Sequence, residues 1–240
     1  MLWMLSRSYL DSRIGIDMTI AFIFARGGSK SIPDKNLAEV AGKSLLQRAV
    51  EVAKDVRSVT DVVVSSDSDR IGATARKYGA FFLKRPDHLA SDDSPEMGAW
   101  QHALMAYESE LFLSVPTTTP LKTSSDVEKI IDHFQSGRFD LVMGCSESLR
   151  SPYLNIFEVD EKTDLAHVVK DIGVYRRQDV PKTYDVSTVA YCATRDYVLS
   201  GGEIENPRIG LVPLERSVTL DIDDPYDLNL ANLILRSRDE

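Results

Sequence analysis

Two short stretches, far apart in the chain, carry residue types that could do chemistry. The first is Ala25-Arg26-Gly27-Gly28-Ser29-Lys30, continued to Lys35 and Asn36. Paired glycines let the backbone approach a ligand and turn N–H groups toward phosphate oxygens. Arg26, Lys30 and Lys35 add positive charge and Asn36 adds an amide, a set suited to a triphosphate. The plain alternative is a solvated basic loop. The second stretch is Asp221-Ile222-Asp223. Residues two apart on a strand share a face, so both carboxylates would reach one cation while Ile222 packs behind them. Oxygen ligands that leave coordination open for phosphates suit Mg²⁺. Turn chemistry is the alternative for these aspartates, and Asp224-Pro225 reads as a helix cap. Arg85, in the segment Arg85–Ser94, would meet a base or a phosphate, or pair with a neighbouring acid.

Several other chemistries are excluded. Gly42-Lys43-Ser44 resembles the end of a P-loop, but the required first glycine would fall at Leu37. No G-x-G-x-x-G follows the first strand, so a dinucleotide site has no support. His88, His102, His133 and His167 show no metal-ligand spacing, and no G-x-S-x-G or triad is present. Cys145 and Cys192 are far apart and read as buried thiols in a reducing cytoplasm. The net charge of −9 argues against nucleic acid as a partner. No apolar run reaches membrane-spanning length.

The elements that must position these residues follow from periodicity. Thr19–Ala25 is nearly continuously apolar, the pattern of a strand covered on both faces. A helix is expected at about Lys43–Lys54, a strand at Asp61–Ser65, a helix at Asp69–Tyr78 and a strand at Phe81–Leu83. Ser94-Pro95 would open a helix running to about Ser109. Leu111–Val115 reads as a strand, and Ser125 with Glu128 has capping-box spacing for a helix ending before Gly137. Asp140–Cys145, Ser187–Ala193, Leu211–Leu214 and Leu220–Asp223 read as strands, with helices at Thr194–Leu199 and Pro225–Arg236. This alternation predicts an α/β fold with a doubly wound, mostly parallel sheet. The rhythm breaks at about Ser146–Tyr184, where a small β-rich insertion is expected. Met1–Asp17 is read as an extension or a misassigned start outside a single domain over 18–240. Its polar and charged residues break any leader-like apolar core.

Taken together, these motifs resemble the acylneuraminate cytidylyltransferases, the CMP-sialic acid synthetase family. The resemblance rests on ARGGSKSIPDKN (Ala25–Asn36), VVVSSDS (Val62–Ser68), KRPDHLASDDSP (Lys84–Pro95), TTTPLKTSSDV (Thr117–Val127) and LDIDDPYDL (Leu220–Leu228). It implies a cytoplasmic homodimeric enzyme in which the insertion mediates dimerisation and helps close the partner's sugar site. It also implies that CTP is coupled to a nonulosonic acid with release of pyrophosphate. Arg26, Ser29, Lys35 and Asn36 would bind the phosphates, with Gly27, Gly28 and Lys30 in the same loop. Arg85 would lie near the cytidine, and Asp221 and Asp223 would hold Mg²⁺. A glycine is usual where Ser31 stands, a glutamine at Pro116 and an arginine at Lys122. Tyr184–Thr188 replaces a frequent Asn-Gly/Ala element near the acceptor. N-acetylneuraminate, legionaminate, pseudaminate or another keto acid fits this pattern. The rival readings are a cytidylyltransferase for an eight-carbon keto acid and a non-catalytic CTP sensor.

Overall fold

The computed structural model describes residues 19–29, 31–91 and 93–238. Calls on Met1–Asp17 and on Lys30 lie outside these residues. The elements run β1 (Thr19–Phe24), β2 (Glu39–Val40), β3 (Lys43–Ser44), α1 (Leu45–Lys54), β4 (Val59–Ser66), α2 (Asp69–Lys77) and β5 (Phe81–Lys84). They continue with α3 (Glu96–Ala106), β6 (Leu111–Ser114), α4 (Ser124–Ser136), β7 (Leu141–Glu147), β8 (Phe157–Asp160) and β9 (Leu165–Val168). The chain closes with β10 (Tyr184–Thr194), α5 (Arg195–Leu199), β11 (Ile209–Pro213) and α6 (Pro225–Arg238).

Seven strands form one sheet in the order β11-β7-β10-β6-β1-β4-β5. All neighbours are parallel except β10, which runs antiparallel between β6 and β7. Strand β1 shows how the sequence builds this layer. Its side chains alternate: Ala21, Ile23 and Ala25 enter a core with α1, α2 and α4. Phe22 enters the opposite core, with Ile20 and Phe24 against it, under α3 and α5. Small residues on one face and aromatics on the other fill two unequal gaps, as period-two alternation allows. On the aromatic face Phe112 stacks on Phe22 at 5.6 Å and meets Trp100 at 4.7 Å between ring centroids.

From β1 the chain moves outward through β4 and β5, then returns to lay β6 on the other side of β1. The chain therefore parts at the carboxyl ends of β1 and β6, the position where open α/β sheets bind ligands. Strand β10 is longer than expected and carries a bulge. Ser187 pairs with Gly144 and Tyr191 with Met143, so residues 188–190 leave the β7 ladder.

Some local expectations are corrected. The capping box of α4 is Thr123 with Asp126, not Ser125 with Glu128. Helix α3 starts at Glu96 with Pro95 at the N-cap position, no side-chain cap, and an end at Ala106. Leu220–Asp223 joins none of the sheets formed by the described residues; Ile222 N–H instead donates to Thr118 O at 2.8 Å. Asp224 does cap α6, its Oδ1 accepting from the N–H groups of Tyr226 and Asp227 at 2.7 and 3.0 Å. The expected insertion contains the hairpin β8–β9, a separate two-stranded sheet.

Phe112→Ala would remove a fully buried ring from the cluster that floors this end of the sheet. The expected cost is about 3–5 kcal/mol in urea unfolding; a loss below about 1 kcal/mol would show that the aromatic face is not tightly packed.

Candidate functional site

A cleft of about 490 Å³ opens where β1 and β6 part. From the β1 loop come Arg26, Gly28, Ser29, Ser31, Lys35 and Asn36. The β6 loop contributes Pro116–Thr118, and Arg85, Leu89–Ser91, Ser94 and Glu96 line the other side. Phe24, Thr188, Tyr191 and Asp223 complete the walls. Folding thus brings the basic loop and Asp223 together across most of the chain.

The two glycines of the loop have different surroundings. Gly27 N–H already donates to Asp67 Oδ1 at 2.8 Å, and a Cβ there would press on Ser68 at 3.0 Å. Its N–H is therefore committed to the protein, and its lack of a side chain serves close packing. Gly28 lines the cleft with no described residue near its missing Cβ, leaving backbone open to a ligand. Asn36 bridges the parted strands. Its Nδ2 donates to Arg26 O at 2.9 Å, and its Oδ1 accepts from Thr117 Oγ1 at 2.6 Å. That amide ties the β1 loop to the β6 loop across the cleft.

Lys35 Nζ lies 3.3 Å from Asp223 Oδ1. The lysine side chain is 14% exposed and the aspartate 82%, so the carboxylate stands in solvent and the ammonium is largely covered. Asp221 is held differently. Thr188 Oγ1 donates to its Oδ2 at 2.7 Å, which uses that hydroxyl's one proton. The 2.8 Å contact between Thr118 and Thr188 hydroxyls must then have Thr118 as donor. The other carboxylate oxygen, Asp221 Oδ1, is buried with no hydrogen-bond partner among the described residues. A buried, unanswered carboxylate oxygen is costly and fits a cation ligand.

Behind Asp221 lies Lys122, 5% exposed. Its Nζ donates to Pro116 O and to Thr119 Oγ1 and O at 2.9 and 3.2 Å, tying the β6 loop together. Burial pushes its pKa down to about 7, with the charge of Asp221 pulling the other way.

Arg85 is buried at the far wall. Its Nε and Nη2 donate to Ser65 Oγ and O at 3.2 and 2.6 Å, and its guanidinium lies 5.7 Å from the centre of the Phe24 ring. Glu96 and Tyr191 share that end of the cleft. Burial raises the Tyr191 hydroxyl to about 12, with the charges of Glu96 and Asp221 adding to the effect.

Thr117, Thr118, Thr188, Tyr191 and Glu96 were not singled out as site residues from sequence. Thr117 and Thr118 fall in a motif carrying the resemblance, and Thr188 in a departure from it, which was the available signal. Glu96 gave none, because an acid in a helix's first turn is ordinary dipole chemistry. Asp221, Gly27 and Lys122 stand behind the cleft wall rather than among its lining residues.

A family model described as Cytidylyltransferase matches residues 20–199. The chain is 28% identical to the post-translational flagellin modification protein B of Campylobacter coli, over 90% of this chain and 94% of that one. It is also 28% identical to the CMP-N,N'-diacetyllegionaminic acid synthase of Campylobacter jejuni, over 89% of this chain and 93% of that one. A solved CMP:2-keto-3-deoxy-manno-octonic acid synthetase complexed with CTP superposes with TM-score 0.71 at 16% identity, over 92% of this chain and 99% of that one. At that identity the likeness is one of fold.

Lys122 offers a pH test of this geometry. Its folded pKa is lowered from 10.5 to about 7, so between those values the unfolded chain binds the extra proton. Stability from this group therefore rises with pH above about 7, and below 7 its burial penalty is fully present. Urea unfolding from pH 7 to 9 should show this rise in the unaltered protein and lose it in Lys122→Met. Parallel pH profiles for the two would contradict a neutralised buried lysine.

Proposed function

The chain belongs to the cytidylyltransferase family, and on that basis we propose that it couples CTP to a nonulosonic acid, releasing pyrophosphate. The observation that carries this reading is the meeting of Lys35 and Asp223 across 188 residues of sequence, in the cleft at the ends of β1 and β6. The similarity to a legionaminic acid synthase supports the acceptor class. In this reading the triphosphate lies along Arg26, the open backbone at Gly28, Ser29 and Lys35. Arg26 and Lys35 draw off negative charge as the anomeric hydroxyl attacks the α-phosphorus in line and pyrophosphate departs.

Asp221 and Asp223 would hold a divalent cation, with Mg²⁺ the natural choice for oxygen ligands shared with phosphates. Such an ion would supply charge neutralisation at the triphosphate. Among the described residues no group of three or more His, Cys, Asp or Glu side chains is placed to hold a metal. A site of two aspartates therefore needs substrate oxygens and water to complete it. The unpartnered Asp221 Oδ1 supports its place in that set. Thr188 holds the other oxygen of Asp221 and so aims the carboxylate.

We place the enzyme in the cytoplasm; among the described residues no helix is long and apolar enough to cross a membrane. Homodimerisation through the insertion is part of the same reading. On the hairpin β8–β9, Phe157 pairs with Val168 and Val159 with Ala166, which puts an apolar face on one side. Phe157 and Val159 are exposed in the single chain. A second copy would cover that face. Sedimentation should report a dimer for the unaltered protein and a monomer for Val159→Asp; a monomer in both would remove the insertion from this role.

Pyrophosphate release with CTP and a panel of keto acids tests the activity. Turnover is expected with N-acetylneuraminate, legionaminate or pseudaminate. Turnover with eight-carbon acids alone would overturn the acceptor class, and CTP binding without product from any acid would point to a sensor. Asp223→Asn should lower kcat by about 10²–10³ while the fold persists. A near-normal rate in that variant would take Asp223 out of the reaction.

A further inference from the structure

Two of the residues lining the cleft carry carboxylates: Asp223, which faces Lys35, and Glu96. Glu96 is the first residue of α3, where an acid ordinarily projects into water and answers the helix dipole. Here it is exposed and also lines the cleft. Burial raises its carboxyl pKa against that dipole, while the nearby Trp100 indole and the Arg85 guanidinium favour the charged form. The Trp100 N–H is buried and lacks a well-formed hydrogen bond. Glu96 thus shares a pocket end with a cation, apart from the phosphate-facing pair Lys35–Asp223.

That end has three properties of a nucleobase seat. Phe24 and Leu89 supply apolar surface for a ring. Arg85 is anchored by Ser65 and by Leu89 O at 3.5 Å, yet its five N–H groups exceed those commitments. Glu96 supplies acceptors only. An anchored donor with an acceptor on the same cleft is the polar complement of the edge of cytosine, which offers a 4-amino donor beside the N3 and O2 acceptors. Uracil reverses the pattern, with an O4 acceptor and an N3 donor.

We propose that Glu96 is the residue that selects cytosine over uracil, its carboxylate accepting from the 4-amino group while Arg85 donates to N3 or O2. This rests on the proposed CTP reaction and adds a residue to it. Uracil in the same seat sets O4 against the carboxylate and leaves both without a donor. Sites built around a hydrogen bond to the ligand reject analogues lacking it far more strongly than apolar pockets do.

The test compares kcat/KM for CTP and UTP, with nucleotide Kd measured alongside in the absence of acceptor. Glu96→Gln presents an amide that can turn either its oxygen or its NH₂ to the base. It should cut the CTP-to-UTP preference by about 10- to 100-fold, in kcat/KM and in Kd alike, leaving the acceptor KM within about twofold. Glu96→Ala should weaken CTP and leave UTP nearly unchanged. If the unaltered enzyme uses CTP selectively and Glu96→Gln keeps the same preference, the inference falls alone. A change confined to the acceptor KM also overturns it, placing Glu96 at the sugar. If the unaltered protein neither binds nor turns over CTP, the function reading fails and this inference with it.

Discussion

Asp221 is held by one hydroxyl and left with one buried oxygen unanswered, and much of the site follows from that incomplete satisfaction. An unpaired carboxylate oxygen away from water costs on the order of 1–3 kcal/mol. The surroundings bring positive charge near without closing the gap. Lys122 lies within electrostatic reach but spends its donors on the β6 loop, and Lys35 pairs with Asp223. The result is an unpaired acidic oxygen behind the cleft wall, close to a basic loop. An arrangement that paired every charge internally would be more stable and would have nothing left for a triphosphate and its counterion.

The sheet makes this possible by topology. Because β6 returns beside β1 after the chain has travelled out to β5, two loops part instead of packing together. Asn36 spans the gap with both ends of its amide, and Ile222 N–H ties the aspartate segment to the same β6 loop. The bulge in β10 frees Thr188 from the β7 ladder so that its hydroxyl reaches Asp221. Each hydrogen bond is of modest net worth, but together they set the distances between charges.

How much of this was readable from sequence depends on the kind of signal. Strand β1 was legible because nearly every residue is apolar and the two faces fill different cores. The basic loop and the aspartate pair stand out in the sequence by residue type and spacing, and the fold places Lys35 against Asp223. The start of α4 was misread by two residues because Thr123/Asp126 and Ser125/Glu128 both satisfy the same spacing; only backbone geometry chooses between them. Leu220–Asp223 reads as a strand because apolar and acidic residues alternate in it, yet the Ile222 N–H bonds to a loop. Thr188 depends on a bulge that no local pattern announces. Glu96 was hidden by its ordinariness, since an acid opening a helix has a sufficient explanation until the cleft around it is seen.

The central claim is that Asp221 and Asp223 share a divalent cation with the triphosphate of CTP at the parting of β1 and β6. The most direct measurement is anomalous diffraction from a crystal grown with CTP and Mn²⁺ as a scattering substitute. The expected result is a metal peak at bonding distance from Asp221 Oδ1 and Asp223, with the phosphates along Arg26, Gly28 and Lys35. A peak elsewhere, or CTP bound away from this loop, would contradict the claim.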